Sequence, residues 1–301
     1  LALDIVRPAF PLDKAQYVRV DLTLPNVDAT LAELLADHKV DTFVHGAFLS
    51  QPTHNSAWAH ELEEIGSMHV INACAEAQVA KFVLSSTTMV YGARPHNPNF
   101  LSEEHELHGQ PSSRYVTDRV GAETLALRFQ KEHPERVVTS LRVAATLGPT
   151  VKNYVTRFFS RPIAPVMMGY DPLLQFVHEQ DVVDAHKLAL DGEFRGAYNI
   201  AGDGVLPYST VLAMMGKFPL PVPHFLARSL AGALWATQVV DAPPTFLNFL
   251  RYLCVEDGKK ARDEMGFWPR YDIKSTIREF LGLSERGDYS KSDDDAASTG
   301  A

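Results

Sequence analysis

Short apolar runs rich in β-branched residues alternate along the chain with longer segments in which apolar positions recur at helical spacing. The strand-like runs cover residues 1–6, 17–20, 42–47, 81–85, 137–143 and 197–200, and the helix-like segments cover 27–37, 61–77, 113–133, 180–190 and 209–215. Regular alternation of the two predicts a parallel sheet covered by helices, an α/β fold. The strand runs are apolar almost throughout instead of at every second position, as expected of strands buried on both faces.

After about Gly148 the character of the sequence changes. Prolines become frequent (Pro149, Pro162, Pro165, Pro172, Pro219, Pro221, Pro223, Pro243, Pro244) with aromatic residues between them. The expected organisation is a main α/β domain over 1–150 and a smaller substrate lobe over 151–283, some of whose chain returns to the main sheet. Residues 284–301 are small, polar and acidic, the composition of a disordered tail.

The 301 residues, 46% apolar and 22% charged, are those of an ordinary globular protein. A net charge of −9 without a basic run argues against a nucleic-acid partner. Two cysteines, Cys74 and Cys254, sit in apolar stretches and form no disulfide framework, which fits a cytoplasmic location. The apolar stretch at 225–240 carries Arg228 and is too short to span a bilayer.

Tyr115 and Arg119 lie four apart on a predicted helix and so share one face. A cation there favours phenolate, which predicts a tyrosine pKa below its usual ~10 and a group able to exchange a proton with a substrate hydroxyl. Thr87, at the end of the strand from 81, can hydrogen-bond the same oxygen. Other chemistries fit less well. Ser85 and Ser86 lack the Gly-x-Ser-x-Gly setting of a hydrolase nucleophile. His178, Glu179, Asp181 and His186 lack metal-binding spacing, and Asp181 is expected to cap the helix beginning there. Phe158, Phe159 and the prolines near Pro162 suit either a substrate pocket or ordinary packing.

Four ordered stretches carry a resemblance: residues 85–92 (Ser-Ser-Thr-Thr-Met-Val-Tyr-Gly), 115–119 (Tyr-Val-Thr-Asp-Arg), 141–149 (Leu-Arg-Val-Ala-Ala-Thr-Leu-Gly-Pro) and 176–183 (Phe-Val-His-Glu-Gln-Asp-Val-Val). The chain resembles the extended short-chain dehydrogenase/reductases, specifically the NAD-dependent epimerase/dehydratase family, from residue 1 to about 283. The resemblance implies a Rossmann-like, doubly wound sheet with a smaller C-terminal substrate lobe, and NAD as cofactor. It implies Tyr115 as acid/base, Thr87 as the group orienting the substrate, and Arg119 at the position that binds the nicotinamide ribose. It places Asp4 on the adenosine ribose, favouring NAD over NADP. Asp21 and Leu22 would lie next to adenine, and Gly46 and Ala47 beside the pyrophosphate and ribose. The segments 61–77 and 113–133 match helices through which such proteins often pair as homodimers.

The chain departs from that pattern in four places. It opens at Leu1 inside an apolar run, where the second strand would be, without a glycine-rich loop. A fragment is therefore expected, preceded in the natural protein by one βα unit of roughly 30 residues. Loss of that unit's central strand would split the sheet. Arg119 replaces lysine, keeping the charge but presenting a planar fork. Glu63 stands where asparagine is common, and is expected to be exposed or locally shifted because a buried carboxylate is costly unless paired. Leu174 and Gln175 replace the Arg-Asp pair of many sugar-nucleotide members, leaving room for a more apolar alcohol or ketone. The competing expectation is a non-catalytic, dinucleotide-binding regulatory protein.

Overall fold

The computed structural model describes residues 1–283 apart from 10, 11, 13, 111, 112 and 241, so the predicted tail at 284–301 lies outside the described residues. The chain begins with β1 (Ala2–Asp4), β2 (Tyr17–Arg19), α1 (Val27–Asp37), β3 (Thr42–His45) and α2 (Ser56–His60). A π-helical turn, Glu61–Ile65, joins α2 to α3 (Gly66–Glu76). Next come β4 (Lys81–Thr87), a 3₁₀ turn at Thr88–Tyr91, α4 (Arg114–Glu132), β5 (Val137–Val143) and β6 (Ala145–Leu147). They are followed by α5 (Tyr154–Ser160), β7 (Ile163–Met167), β8 (Leu173–Leu174), β9 (Phe176–His178), α6 (Glu179–Asp191) and β10 (Gly196–Ile200). The remaining elements are β11 (Leu206–Pro207), α7 (Tyr208–Met214), β12 (Phe218–Val222), α8 (His224–Ala236), a 3₁₀ turn at Pro244–Leu250, α9 (Lys259–Met265) and α10 (Ile273–Phe280).

β3, β4, β5 and β10 form a parallel sheet in the order β10-β5-β4-β3. Helices cover both faces. Leu31 and Leu35 of α1, Val70 and Cys74 of α3 and Phe129 of α4 pack on Phe82, Leu84 and Val138. On the opposite face Ala185 and Ala189 of α6 and Ala261 and Met265 of α9 pack on Val83, Leu141 and Ile200. All seven residues of β5 are buried, which is why its run shows no alternation of apolar and polar positions. β1 and β2 form a separate parallel pair with no ladder to the four-stranded sheet among the described residues, so the sheet is split as expected. Beyond β6 the strands are short pairs, β6 with β9, β7 with β12 and β8 with β11, gathered around Phe159, Phe176, Tyr208 and Ile277.

The ends of β4 and β5 rest on a buried polar network. Glu123 of α4 accepts from Ser86 Oγ at 2.5 Å and from Arg142 Nε at 2.6 Å, and Arg142 also donates to the Tyr91 hydroxyl at 2.7 Å. Ser86 and Tyr91 of the 85–92 stretch are thus spent on structure. Gly92 closes that stretch at φ +75, where a side chain would also overlap the Gly109 carbonyl. Gly92→Ala is expected to destabilise the protein by about 2 kcal/mol, read as a lower denaturation midpoint with an unchanged slope.

Candidate active site

Tyr115 and Arg119 project from one face of α4 as their spacing predicts, and the guanidinium lies 4.4 Å from the centre of the Tyr115 ring. Residues 46–50 leave the sheet after β3 and cover the pair. The Leu49 carbonyl accepts from the Tyr115 hydroxyl at 3.2 Å and from Arg119 Nη2 at 2.5 Å, while the Phe48 ring lies 5.1 Å from the guanidinium carbon.

Glu63 completes the arrangement and corrects the expectation that it is exposed or shifted away. Its side chain is fully buried on the π-helical turn, where Oε1 accepts from Arg119 Nη2 at 3.0 Å and from Leu49 N at 2.7 Å. The two departures at 63 and 119 therefore meet as one ion pair, each supplying what makes the other's burial tolerable. Burial pushes the Glu63 carboxyl up, and the adjacent guanidinium and the Leu49 N–H pull it back.

The tyrosine's pKa moves against the prediction. Burial among Met89, Tyr154 and Phe246 raises it, and the opposing pull of Arg119 does not win. A cation one turn away is legible in sequence; the loss of water around the phenol is not. At neutral pH Tyr115 is a protonated phenol.

Thr87 ends β4, and its Oγ accepts from Met89 N at 3.4 Å, capping the following 3₁₀ turn. That turn carries Met89 against Tyr115. Asp4 sits exposed at the end of β1, its carboxylate accepting from Val6 N at 3.0 Å. Asp21 follows β2 and holds a turn through Thr23 N at 3.0 Å and Thr23 Oγ1 at 2.7 Å, which lowers its pKa. Leu22 is buried in the core, where a side chain on Gly66 would come to 3.0 Å of its Cβ. Gly46 and Ala47 are exposed after β3, beside the end of β4. Each of these residues lies at or just beyond the C-terminal end of a parallel strand, the end at which open α/β sheets bind ligands.

A dinucleotide's donors and acceptors fit the polar atoms left over. Arg119 Nε and Glu63 Oε2 are buried without a hydrogen-bond partner, one a donor and one an acceptor beside Tyr115. Ribose hydroxyls can serve both. The exposed Asp4 carboxylate is an acceptor of the kind a second ribose requires.

Behind Met89 and Tyr154 lies a cavity of about 310 Å³, lined largely by apolar side chains including Phe158, Phe159, Met167, Leu174, Leu230 and Phe246. Phe158 and Phe159 thus line a pocket and also pack. Sequence reasoning missed Glu256, a buried carboxyl in this lining; next to Asp257, Gly258 and Lys259 it reads as part of a solvated turn. Burial raises its pKa to about 8 against the pull of the Thr88 hydroxyl. Its unfolded value is near 4.5, so the stability it confers is complete below about pH 4.5 and is lost as pH rises through about 8. Glu256→Gln is expected to remove a loss on the order of a few kcal/mol between those values, measured by denaturation at each pH.

His178 stacks on Tyr271 with ring centres 3.8 Å apart and itself caps α6, accepting from Gln180 N at 3.1 Å. Asp181, expected at that cap, instead accepts from Arg270 N at 2.9 Å and Tyr271 N at 3.3 Å. His60, Glu64 and Asp118 bring three ligand-type atoms within 4.8 Å of one another where α2 meets α4. No described helix is long and apolar enough to cross a membrane.

Fold and strand-end geometry together define a Rossmann-like α/β protein. Residues 5–201 match the NAD dependent epimerase/dehydratase family, and the chain belongs to that family. An uncharacterized protein of Mycobacterium tuberculosis is 30% identical over 93% of this chain and 76% of its own length. A UDP-glucose 4-epimerase of Rhizobium leguminosarum bv. trifolii is 23% identical over 83% of this chain and 79% of its own. Among solved structures, MoeE5 in complex with UDP-glucuronic acid and NAD superposes with a TM-score of 0.70 at 21% identity, covering 94% of this chain and 89% of that one. The Thermus thermophilus UDP-glucose 4-epimerase complex with NAD gives 0.68 at 18% identity, covering 90% and 85%.

Proposed function

We propose that the protein is an NAD-dependent oxidoreductase or epimerase/dehydratase acting at a carbinol or carbonyl carbon, with residues 1–150 holding the cofactor and 151–283 mainly the substrate. The observation that carries this reading is the buried Tyr115–Arg119–Glu63 constellation, with one donor and one acceptor still unpartnered beside the phenol. When bound, NAD supplies the hydride acceptor for oxidation and the hydride for reduction. Asp4 accepts from the adenosine ribose, Asp21 and Leu22 border adenine, and Gly46 and Ala47 leave room beside the pyrophosphate. Arg119 Nε donates to the nicotinamide ribose, and Glu63 fixes the plane of the guanidinium.

Tyr115 then exchanges its Leu49 partner for the substrate oxygen. During reduction its phenol proton passes to that oxygen, and during oxidation the hydroxyl proton returns, with Arg119 offsetting the charge formed on the phenolate. Thr87 orients the same oxygen. The apolar cavity and the Leu174–Gln175 pair favour an apolar alcohol or ketone over a nucleotide sugar.

Titration of NADH fluorescence tests the cofactor site. Asp4→Ala is expected to weaken NADH about tenfold and to reduce the preference for NADH over NADPH. Equal affinity in the variant would remove Asp4 from the site. The second reading, a non-catalytic dinucleotide-binding protein, is favoured by the Tyr115 hydroxyl's engagement with the Leu49 carbonyl. Arg119→Lys separates the two: an enzyme changes its rate, and a regulatory protein shows no turnover in either form.

A further inference from the structure

The cavity behind Tyr154 is mostly apolar, and its polar side chains are Glu256, Thr88, Gln175, Cys254, Tyr154 and the exposed Arg161. Most of these are committed. Gln175 Oε1 accepts from Glu256 N at 2.9 Å, and its Nε2 donates to the Gly202 and Glu256 carbonyls at 3.4 Å. The Thr88 hydroxyl goes to the Glu256 carboxyl. Glu256 is only 3% exposed, so its carboxyl meets the cavity instead of solvent. Ile163 and Leu230 belong to the lining yet are about half exposed, at 52% and 50%, and mark where the cavity reaches the surface.

We propose that this cavity binds an apolar alcohol or ketone and that Glu256, as a neutral carboxylic acid, donates a hydrogen bond to the ligand's oxygen. The inference rests on the NAD-linked reading of the Tyr115 site, whose neighbours Met89, Tyr154 and Phe246 line this cavity, and names the class of molecule taken there. A nucleotide diphosphate would need several cations and would meet a buried carboxyl. A compact apolar molecule matches the walls and offers an oxygen to the buried Glu256 donor, separate from the oxygen on which Tyr115 acts.

The acid is protonated at neutral pH because burial holds its pKa at about 8. Tyr154 and Cys254 face it, both pushed upward by burial and neutral over the same range, and Arg161 is a cation of the lining. Above about pH 8 Glu256 loses its proton, and the anion repels the lone pairs of a ketone.

2-Decalone, a bicyclic ketone with only an acceptor to offer, is the probe. Its affinity is measured by calorimetry at about pH 7 and about pH 9.5 for the wild type, Glu256→Gln and Glu256→Leu, with UDP-glucose and NADH titrated into the same samples. Wild-type affinity for 2-decalone is expected to fall five- to tenfold across that range. Glu256→Gln retains an N–H donor and should bind within about threefold of the wild type at both pH values. Glu256→Leu should be about five- to tenfold weaker at neutral pH, without pH dependence. If the leucine variant does not fold, the flat profile of the glutamine variant carries the test. Unchanged affinity in Glu256→Leu, a pH profile persisting in Glu256→Gln, or UDP-glucose binding in place of 2-decalone would overturn the proposal. NADH binding without 2-decalone binding refutes this inference alone. 2-Decalone binding without NADH binding refutes the NAD reading and leaves the cavity assignment in place.

Discussion

Glu63→Ala is expected to lower the melting temperature by about 10 °C, the consequence of a loss of about 3–5 kcal/mol. The substitution leaves the Arg119 guanidinium buried with only the Leu49 carbonyl as a hydrogen-bond acceptor, and strips Leu49 N of its own. An exposed ion pair would contribute little, about 1 kcal/mol at most. The size of the effect therefore reports that the pair is dry. Glu63→Asn with Arg119→Lys supplies a second check, because those are the residue types the family more often carries. The double variant should be more stable than Glu63→Asn alone, giving a coupling energy of about 1–3 kcal/mol in a double-mutant cycle. Additive losses would mean that positions 63 and 119 do not act as one unit.

Tyr115→Phe is expected to reduce turnover by about 10²- to 10⁴-fold, the range for removal of a general acid–base. Its effect on stability should stay near 1 kcal/mol, because the Leu49 carbonyl keeps its bond from Arg119 when the phenol's bond is lost. NADH affinity should be almost unchanged, since Arg119, Glu63 and Asp4 remain. A variant that turns over at the wild-type rate, with the fold intact by circular dichroism, would remove Tyr115 from the chemistry. Because burial raises the phenol's pKa, reduction, which consumes the phenol's proton, should persist to higher pH than a phenolate-poised tyrosine would allow.

The main sheet was legible because its signal is local and repeated. Residues 137–143 are apolar or small at every position but Arg142 and form β5 without a change of boundary, and 27–37 likewise form α1. Elements beyond β6 were hidden for a physical reason. Strands of two or three residues, such as β8, β9 and β11, are too short to show a period of two. In α8 the apolar residues lie all round, with Phe225, Leu226 and Leu230 exposed, so 225–240 read only as an apolar stretch.

The candidate site divides in the same way. Tyr115 and Arg119 share a helix face at a spacing visible in the chain. Glu63 lies 56 positions from its partner, and only the fold shows that the two meet. The expectation of exposure treated the carboxylate in isolation, although the cost of burial depends on what stands opposite. Tyr154, Phe246 and Glu256 come from three separate segments whose composition does not connect them.

Whether this chain's fold and its Tyr115 site serve NAD chemistry is decided by titrating NADH into the protein and following nicotinamide fluorescence. Saturable binding is expected within the usual range of about 1 μM to 1 mM, weakened by Asp4→Ala and nearly unaffected by Tyr115→Phe. Absence of NADH binding at about 1 mM would contradict the NAD reading.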